Sequence, residues 1–186
     1  TLGIQHNGTE VRVQTVEHVM AALYGLQIDN CKIELSESEP PVCDGSSMEY
    51  VKVLLKAGIE EQERQKEFFV INETVRYTNE KNGVDIVALP TDDYRITVMI
   101  DYNNPALGSQ HTGLFNLEKE FATEFASART FCFLSEVEML YNQGLIKGGS
   151  LDNAIVIVDK DFNEEKLKEL QEKFSMKNTP VLGKTG

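Results

Sequence analysis

The amino-acid sequence predicts an α+β fold with two domains of similar topology, and two observations carry this prediction. Apolar residues at helical spacing occupy residues 14–24, whereas β-branched and aromatic residues form strand-like runs within residues 68–102. The order helix, Gly-Leu, Asp-Asn and strand occurs near residues 25–33 and again near residues 144–156. A repeat this short also arises by chance, but with the mixed patterns it suggests two related α+β domains.

A charged stretch at residues 58–66 separates the two patterns. Beyond it, the chain changes from helical to strand-like composition, which is typical of a domain boundary. We therefore predict one domain at residues 1–64 and a second at residues 65–186.

The first domain is predicted to contain a hairpin, two helices and a strand. Asn7-Gly8 between short apolar runs indicates the hairpin turn. Thr15 is a suitable N-cap for the first helix, and Gly25 follows where a left-handed C-cap residue is expected. Ser46 and Glu49 form a capping box for the second helix. The remaining predictions are a strand at 31–35, a helix end near Gly58, and a first-helix apolar stripe of Val16, Val19, Met20 and Leu23.

The second domain is predicted to begin with strands and to end with a helix. Asn82-Gly83 indicates a second hairpin turn, and Ser135 with Glu138 forms another capping box. We predict strands at 68–77, 84–89, 95–102 and 153–158, and helices at 118–126, 135–143 and 164–174.

Charge and composition exclude several classes of partner. The 186 residues contain 18 Lys and Arg against 30 Asp and Glu, which gives a net charge of −12. Nucleic acids and anionic membrane surfaces attract clustered cations, so we predict neither as a partner. The sequence has no apolar run long enough to span a bilayer. Its odd cysteine count without CxxC spacing is typical of a reducing compartment, so we expect a cytoplasmic location.

Glu17-His18 is the first candidate for chemistry. Both residues fall in the first turn of the predicted helix, and His18 lies roughly opposite its apolar stripe. An imidazole beside a carboxylate suits a zinc ligand with an adjacent general base, but a solvated polar face with a favourable first-turn Glu is the more common explanation of such a pair. The HExxH spacing is absent, and His6 and His111 lie in a predicted turn and loop.

Two further segments are weaker candidates. Thr130-Phe131 interrupts the pattern between two helices, where the hydroxyl either donates to an oxyanion or serves as a cap. Gly148-Gly149 allows close approach of a ligand to the backbone, and it also fits an ordinary turn.

Taken together, six segments resemble one family. They are residues 13–23 (VQTVEHVMAAL), 25–30 (GLQIDN), 44–46 (DGS), 57–59 (AGI), 128–131 (ARTF) and 148–156 (GGSLDNAIV). This series resembles the zinc-dependent UDP-3-O-acyl-N-acetylglucosamine deacetylases of Gram-negative lipid A synthesis. The resemblance implies two domains, each a β-sheet packed on helices, with the helices sandwiched between the sheets.

The resemblance also implies a site. It makes His18 a zinc ligand, Glu17 the general base that takes a proton from the attacking water, and Thr130 the donor to the oxyanion. The substrate implied is a UDP-linked acylated glucosamine, deacetylated in the committed step of the pathway. Phe131, Gly149 and Ser150 match substrate-pocket positions. The apolar acyl passage is matched by Val137, Ile146, Leu151, Ala154 and Val156, each of which also fits an ordinary core.

Other family features are not present in the sequence. The remaining zinc ligands, a His and an Asp four residues apart, are expected after Gly186, and the first strands of the family are expected before Thr1. Residues 161–177 resemble the longer form of the enzyme, which some bacteria fuse to a hydroxyacyl-carrier-protein dehydratase. We therefore expect the 186 residues alone to be inactive and to self-associate through exposed strand edges. The alternative is a non-catalytic module that binds lipid or a nucleotide sugar without metal.

Overall fold

The computed structural model describes residues 1–143, 150, 153–159 and 164–173, and it confirms a mixture of helices and small sheets. The strands are β1 (Leu2–His6), β2 (Thr9–Val13), β3 (Val75–Asn79), β4 (Val84–Ala88), β5 (Ile96–Asp101), β6 (Ser109–Leu114), β7 (Phe131–Phe133) and β8 (Ile155–Ile157). The helices are α1 (Glu17–Gly25), α2 (Met48–Ala57), α3 (Leu117–Glu120), a π-helix (Phe121–Phe125), α4 (Leu134–Asn142) and α5 (Glu164–Lys173). No helix within these ranges has the length and apolar character needed to cross a bilayer.

The strands form four two-stranded sheets within the described residues. Three are antiparallel hairpins, β1–β2, β3–β4 and β5–β6, whereas β7 and β8 run parallel. The first hairpin confirms the turn predicted at Asn7-Gly8, because both residues have positive φ, as a type I′ turn requires. Gly83, in the second hairpin, also has a positive φ.

The main core lies where the helices meet. It contains Ala22 of α1, Val51 of α2, Leu114 of β6, Phe121 of the π-helix and Ala126. These residues come from both sides of residue 64, so the two predicted domains share buried apolar surface.

The hairpins are mostly exposed by contrast. Apolar residues on β1, β3 and β5 are more than a third accessible, and Met99 on β5 is 79% exposed. Such surfaces and their unpaired strand edges favour association with another strand. Self-association of the chain stays a prediction.

Gly25 has a different role from the predicted left-handed C-cap. It is the last residue of α1 and is buried, while the left-handed position falls two residues later, at Gln27 with φ 56°. A Cβ on Gly25 would lie 2.0 Å from Cδ1 of Phe121. The glycine is therefore required for the packing of Phe121 against α1.

We expect Gly25→Ala to lower the free energy of unfolding by about 1–3 kcal/mol. Alanine has a better helix propensity, by about 1 kcal/mol, but the displaced Phe121 ring outweighs that gain. Urea unfolding measures the difference, with Gly3→Ala as the control because its Cβ would meet nothing closer than 3.4 Å. Equal urea midpoints for the two variants would contradict the packing described.

The helix caps differ from prediction. Thr15 is not the N-cap of α1, since Val16 occupies that position and Thr15 has φ 50°. Ser46 and Glu49 form no capping box: Glu49 pairs with Lys52 instead. Helix α4 begins at Leu134, one residue before the predicted cap.

Ser135 consequently lies inside the first turn of α4. Its backbone N–H and its hydroxyl donate to the two carboxylate oxygens of Asp159, at 3.1 and 2.5 Å. The carboxylate therefore stabilises the helix start in place of the predicted capping box.

Several strand predictions are wrong in part. Residues 31–35 form no strand, so the first half lacks the strand of the apparent repeat. The strand predicted at 68–77 is reduced to β3, and Phe69 is 95% exposed. Residues 108–112, interpreted as a loop, lie mostly in β6 (Ser109–Leu114), because β5 supplies a partner along the whole length of that strand. The predicted apolar stripe of α1 is also incomplete, since Met20 is exposed.

Candidate active site

Glu17 and His18 begin α1. A hydrogen bond from the Gln14 N–H to the Ser38 carbonyl, 2.8 Å long, holds the chain just before the helix. The Nε2 atom of His18 lies 3.8 Å from Oε1 of Glu17, and the side chains are 17% and 66% exposed, respectively. Glu17 therefore lies on a solvated polar face, but His18 does not. The His18 imidazole is largely buried, next to a carboxylate that is accessible to water.

The Glu17–His18 pair does not by itself make a metal site. A catalytic zinc needs about three protein ligands and an open position. In the described part of the chain, no group of three or more His, Cys, Asp or Glu residues is arranged to hold a metal ion. His111 lies exposed on β6, opposite Met99, and does not contribute. The described residues thus fit one ligand position of a zinc site and do not complete it.

The second group of predicted residues gathers at the β7–β8 sheet. Phe131 pairs with Ile155 and Cys132 with Val156. Helix α4 packs against both strands and carries the half-buried Val137. Phe131, Val137, Ala154 and Val156 therefore belong to one structural unit, although the sequence predicts no strand at β7. Whether they line an acyl passage or only form a core stays a prediction.

The remaining pocket candidates lie beside this sheet or outside the described residues. The Ser150 N–H donates to Oδ1 of Asn153 at 2.8 Å, and its carbonyl accepts from the N–H groups of Asn153 and Ala154. Ser150 is therefore hydrogen-bonded to the two residues that directly precede β8. Ile146, Gly149 and Leu151 fall outside the described residues.

Thr130 is fixed by its backbone on two sides. Its N–H donates to the carbonyl of Gly45 at 2.8 Å, and its carbonyl accepts from the N–H of Ile155 at 2.9 Å. Its side chain is exposed, and its hydroxyl has no hydrogen-bond partner within the described ranges. The hydroxyl is therefore able to donate to a ligand. Neither Glu17 nor His18 is hydrogen-bonded to Thr130 in these ranges.

Residues 44–46, which we call the junction loop, form one of the six segments that resemble the family, and Ser46 is also the predicted cap of the second helix. The Arg129 Nε donates to the carbonyl of Asp44 at 2.8 Å, across 85 positions of sequence. The Ser46 hydroxyl and N–H both donate to Oδ1 of Asp44, at 2.7 and 3.1 Å. These bonds, helped by the charge of Arg129, hold the pKa of the Asp44 carboxyl below its ordinary value, so it is charged at neutral pH.

The sequence contains a partial signal for this loop. Asp-Gly-Ser is typical of a side-chain-stabilised turn before a helix, and it predicts the local bonds. It does not predict the partners, because Thr130 and Arg129 lie far along the chain.

An aromatic cluster packs beside Thr130. Tyr102, at the end of β5, meets Phe131 and Phe133 edge to face, with centroids 5.5 and 6.5 Å apart. This geometry is favourable for ring pairs and holds β7 against the β5–β6 hairpin.

The structure also has an apolar groove, separate from the predicted site. It has a volume of about 280 Å³ and lies between α1 and the β5–β6 hairpin, with Tyr24, Tyr94 and Phe121 among its walls. The described site residues do not line it.

Comparison with known proteins agrees with the resemblance found in the motifs. A family profile described as LpxC, UDP-3-O-acyl N-acetylglycosamine deacetylase, matches residues 1–177. A bifunctional enzyme LpxC/FabZ of Chlorobaculum tepidum is 59% identical over 178 residues, 95% of this chain and 38% of that protein. A second LpxC/FabZ enzyme, of Bacteroides thetaiotaomicron, is 41% identical over 160 residues, 86% of this chain and 34% of that protein.

A protein named only as the deacetylase is similar as well. The UDP-3-O-acyl-N-acetylglucosamine deacetylase of Actinobacillus succinogenes is 43% identical over 166 residues, 87% of this chain and 53% of that protein. The chain thus spans roughly a third to a half of the length of these relatives, at 34–53%.

Proposed function

Because this chain belongs to the UDP-3-O-acyl N-acetylglycosamine deacetylase family, we propose that it forms part of a zinc-dependent deacetylase of lipid A biosynthesis. The proposed substrate is a UDP-linked acylated N-acetylglucosamine, and the reaction is hydrolysis of its acetamide, the committed step of the pathway. The observation that carries the proposal is the Glu17–His18 pair, with a shielded imidazole 3.8 Å from an accessible carboxylate.

The two side chains suit different tasks. His18 is shielded from water, and imidazole is a common zinc ligand in proteins. We assign His18 as one zinc ligand. The other ligands are proposed to lie outside the described residues. Zinc, when bound, would supply a Lewis acid that lowers the pKa of a water molecule towards ~7.

We assign Glu17 as the acceptor of the proton from the attacking water, and Thr130 as the hydrogen-bond donor to the oxyanion. The exposed carboxylate of Glu17 can accept the proton that the attacking water loses. As the acetamide carbonyl becomes tetrahedral, its oxygen gains negative charge. The Thr130 hydroxyl, which has no partner among the described residues, can donate to it. The fixed backbone of Thr130 supports this assignment, because a donor that is already positioned needs no reorganisation.

We assign the β7–β8 unit to substrate binding. Phe131 and Ser150, with Gly149 outside the described residues, are proposed to line the pocket. The fatty acyl chain is proposed to contact an apolar set made of Val137, Ile146, Leu151, Ala154 and Val156. Ile146 and Leu151 of this set also lie outside the described residues.

We base the proposed domain arrangement, the fusion partner and the cellular location on the family relationship. Two domains with helices between their sheets agree with a core in which α1, α2 and the π-helix meet. The similarity to two LpxC/FabZ enzymes supports fusion to a dehydratase as a feature of the complete protein. The three free cysteines are compatible with the reducing cytoplasm that we propose as its location.

We expect purified complete gene product that contains this sequence to carry about one zinc per chain and to deacetylate a UDP-3-O-acyl-N-acetylglucosamine. His18→Ala should lose most of the bound zinc and the activity, because a three-ligand site does not tolerate loss of a ligand. Elemental analysis and acetate release measure the two effects. His111→Ala is the control, since that histidine is exposed on β6, and equal zinc content in both variants would contradict the assignment.

The same assays distinguish the proposed deacetylase from the alternative, a non-catalytic binding module. Residues 1–186 alone are expected neither to hold zinc tightly nor to turn over, since one ligand provides little of the binding free energy. Bound lipid or nucleotide sugar on a zinc-free, inactive complete protein would instead identify a non-catalytic binding module.

A further inference from the structure

We propose that the junction loop, residues 44–46, positions Thr130 for the reaction, with Asp44 as the positioning residue. This inference rests on the proposed function, because it assumes that the Thr130 hydroxyl stabilises the oxyanion. The loop lies in the first half of the chain and Thr130 in the second, so the contact connects the two predicted domains.

Two hydrogen bonds join the loop to the segment around Thr130, and a third contact joins it to Asn153. The Gly45 carbonyl accepts the Thr130 N–H at 2.8 Å, and the Asp44 carbonyl accepts the Arg129 Nε at 2.8 Å. Gly45 also approaches Asn153 so closely that a Cβ would lie 1.8 Å from the Asn153 carbonyl oxygen. Thr130 is thus held between the junction loop and β8, whose Ile155 binds its carbonyl.

The Asp44 side chain determines the shape of the loop. Its Oδ1 accepts both the N–H and the hydroxyl of Ser46, and the same hydroxyl accepts the N–H of Met48 at 3.1 Å. Ser46 is completely buried, and Asn153 on the other side is 8% exposed. Buried polar groups need these partners, so the loop has one favoured conformation. That conformation directs the Gly45 carbonyl at Thr130.

The position of the Thr130 hydroxyl depends on this backbone contact. Since no described residue bonds the hydroxyl itself, its location follows from the backbone that Gly45 and Ile155 hold. An oxyanion donor must lie within about 2.7–3.1 Å of its target, and a displacement of about 1 Å reduces the rate up to about 100-fold. Loosening the loop should therefore weaken transition-state binding more than substrate binding.

A double-mutant cycle in the complete gene product tests this coupling. Thr130→Ala is expected to lower kcat about 100-fold, and Asp44→Ala about 10- to 100-fold with KM changed less than about threefold. In the Thr130→Ala background, Asp44→Ala should lower kcat by less than about threefold, because the donor it positions is gone. Asp44→Asn should recover most of the activity, since its Oδ1 can accept the same two bonds from Ser46.

The controls separate positioning from folding. Asn79→Ala removes a comparable side-chain bond, to the Lys81 N–H, in the β3–β4 hairpin and should leave kcat unchanged. If Asp44→Ala does not fold by circular dichroism, Ser46→Ala takes its place in the cycle. An equal loss of kcat in both backgrounds would overturn the positioning role. Wild-type kcat for Thr130→Ala would instead overturn the proposed function of Thr130.

Discussion

Glu17→Gln is expected to lower kcat about 10²- to 10⁴-fold in the complete gene product, with little change in KM or in zinc content. Glutamine keeps the size of the side chain but cannot accept the proton of the attacking water at neutral pH. Since His18 is left in place, the metal-binding residue that we assign is unaffected. The substitution therefore removes the proposed general base alone.

Folding should be almost unchanged by this substitution. The side chain is 66% exposed, and a carboxylate in the first turn of a helix contributes only about 0.3–1 kcal/mol through the helix dipole. Glu118→Gln is the matched control, because Glu118 is also an exposed acidic residue in a first helical turn.

Acetate release by the wild type and by the two variants, at one neutral pH, gives the decisive measurement. Glu17→Gln should lose most of kcat, whereas Glu118→Gln should keep it. A Glu17→Gln variant with kcat within threefold of the Glu118→Gln control would show that another group takes the proton.

Local signals in the sequence are sufficient for the helices and for two hairpin turns. The Asn7-Gly8 turn has positive φ at both residues, and α2 ends at Ala57 with Gly58 as its C-cap, close to the predicted end. These features depend on neighbours within about four residues, which the sequence contains directly.

Strands depend on partner strands that are distant in sequence, so the strands are predicted less accurately than the helices. Residues 31–35 alternate like a strand but have no partner strand within the described ranges. Residues 109–114 have a polar, loop-like composition and are a strand because β5 lies beside them. Pairing, not composition, decides both cases.

In the candidate site, too, local sequence predicts only the residues that are neighbours along the chain. Glu17 and His18 are adjacent in sequence, so one motif identifies both. The anchoring of Thr130 uses Gly45, which is 85 positions earlier, and no local pattern indicates that contact. The role that we propose for Thr130 comes from the family resemblance, whereas the loop that holds its backbone is seen in the structure.

Gly45→Ala is expected to cost about 3–5 kcal/mol in free energy of unfolding, a large part of the 5–15 kcal/mol typical of a whole domain. The residue has φ 79°, where alanine pays about 1–2 kcal/mol. Its Cβ would also lie 1.8 Å from the carbonyl oxygen and 2.7 Å from the carbonyl carbon of Asn153. Both atoms belong to the backbone, so no rotation of a side chain relieves the clash.

Relief requires the junction loop to move away from Asn153. That movement breaks the hydrogen bonds from Thr130 to Gly45 and from Arg129 to Asp44, each worth about 1 kcal/mol, and it exposes the buried Ser46. The strain, the clash and the lost bonds act in the same direction, and they account for the expected total.

Gly83→Ala separates the effect of backbone strain from the effect of the steric clash. Gly83 has φ 66° in the β3–β4 hairpin, and a Cβ there would meet nothing within 4 Å. This variant therefore carries the backbone strain without the clash and should lose about 1 kcal/mol. Urea unfolding of both variants measures the difference. If they unfold at the same urea concentration, the close approach of the junction loop to Asn153 is wrong. If Gly45→Ala is the less stable by 2 kcal/mol or more, that approach holds together the two halves of the chain.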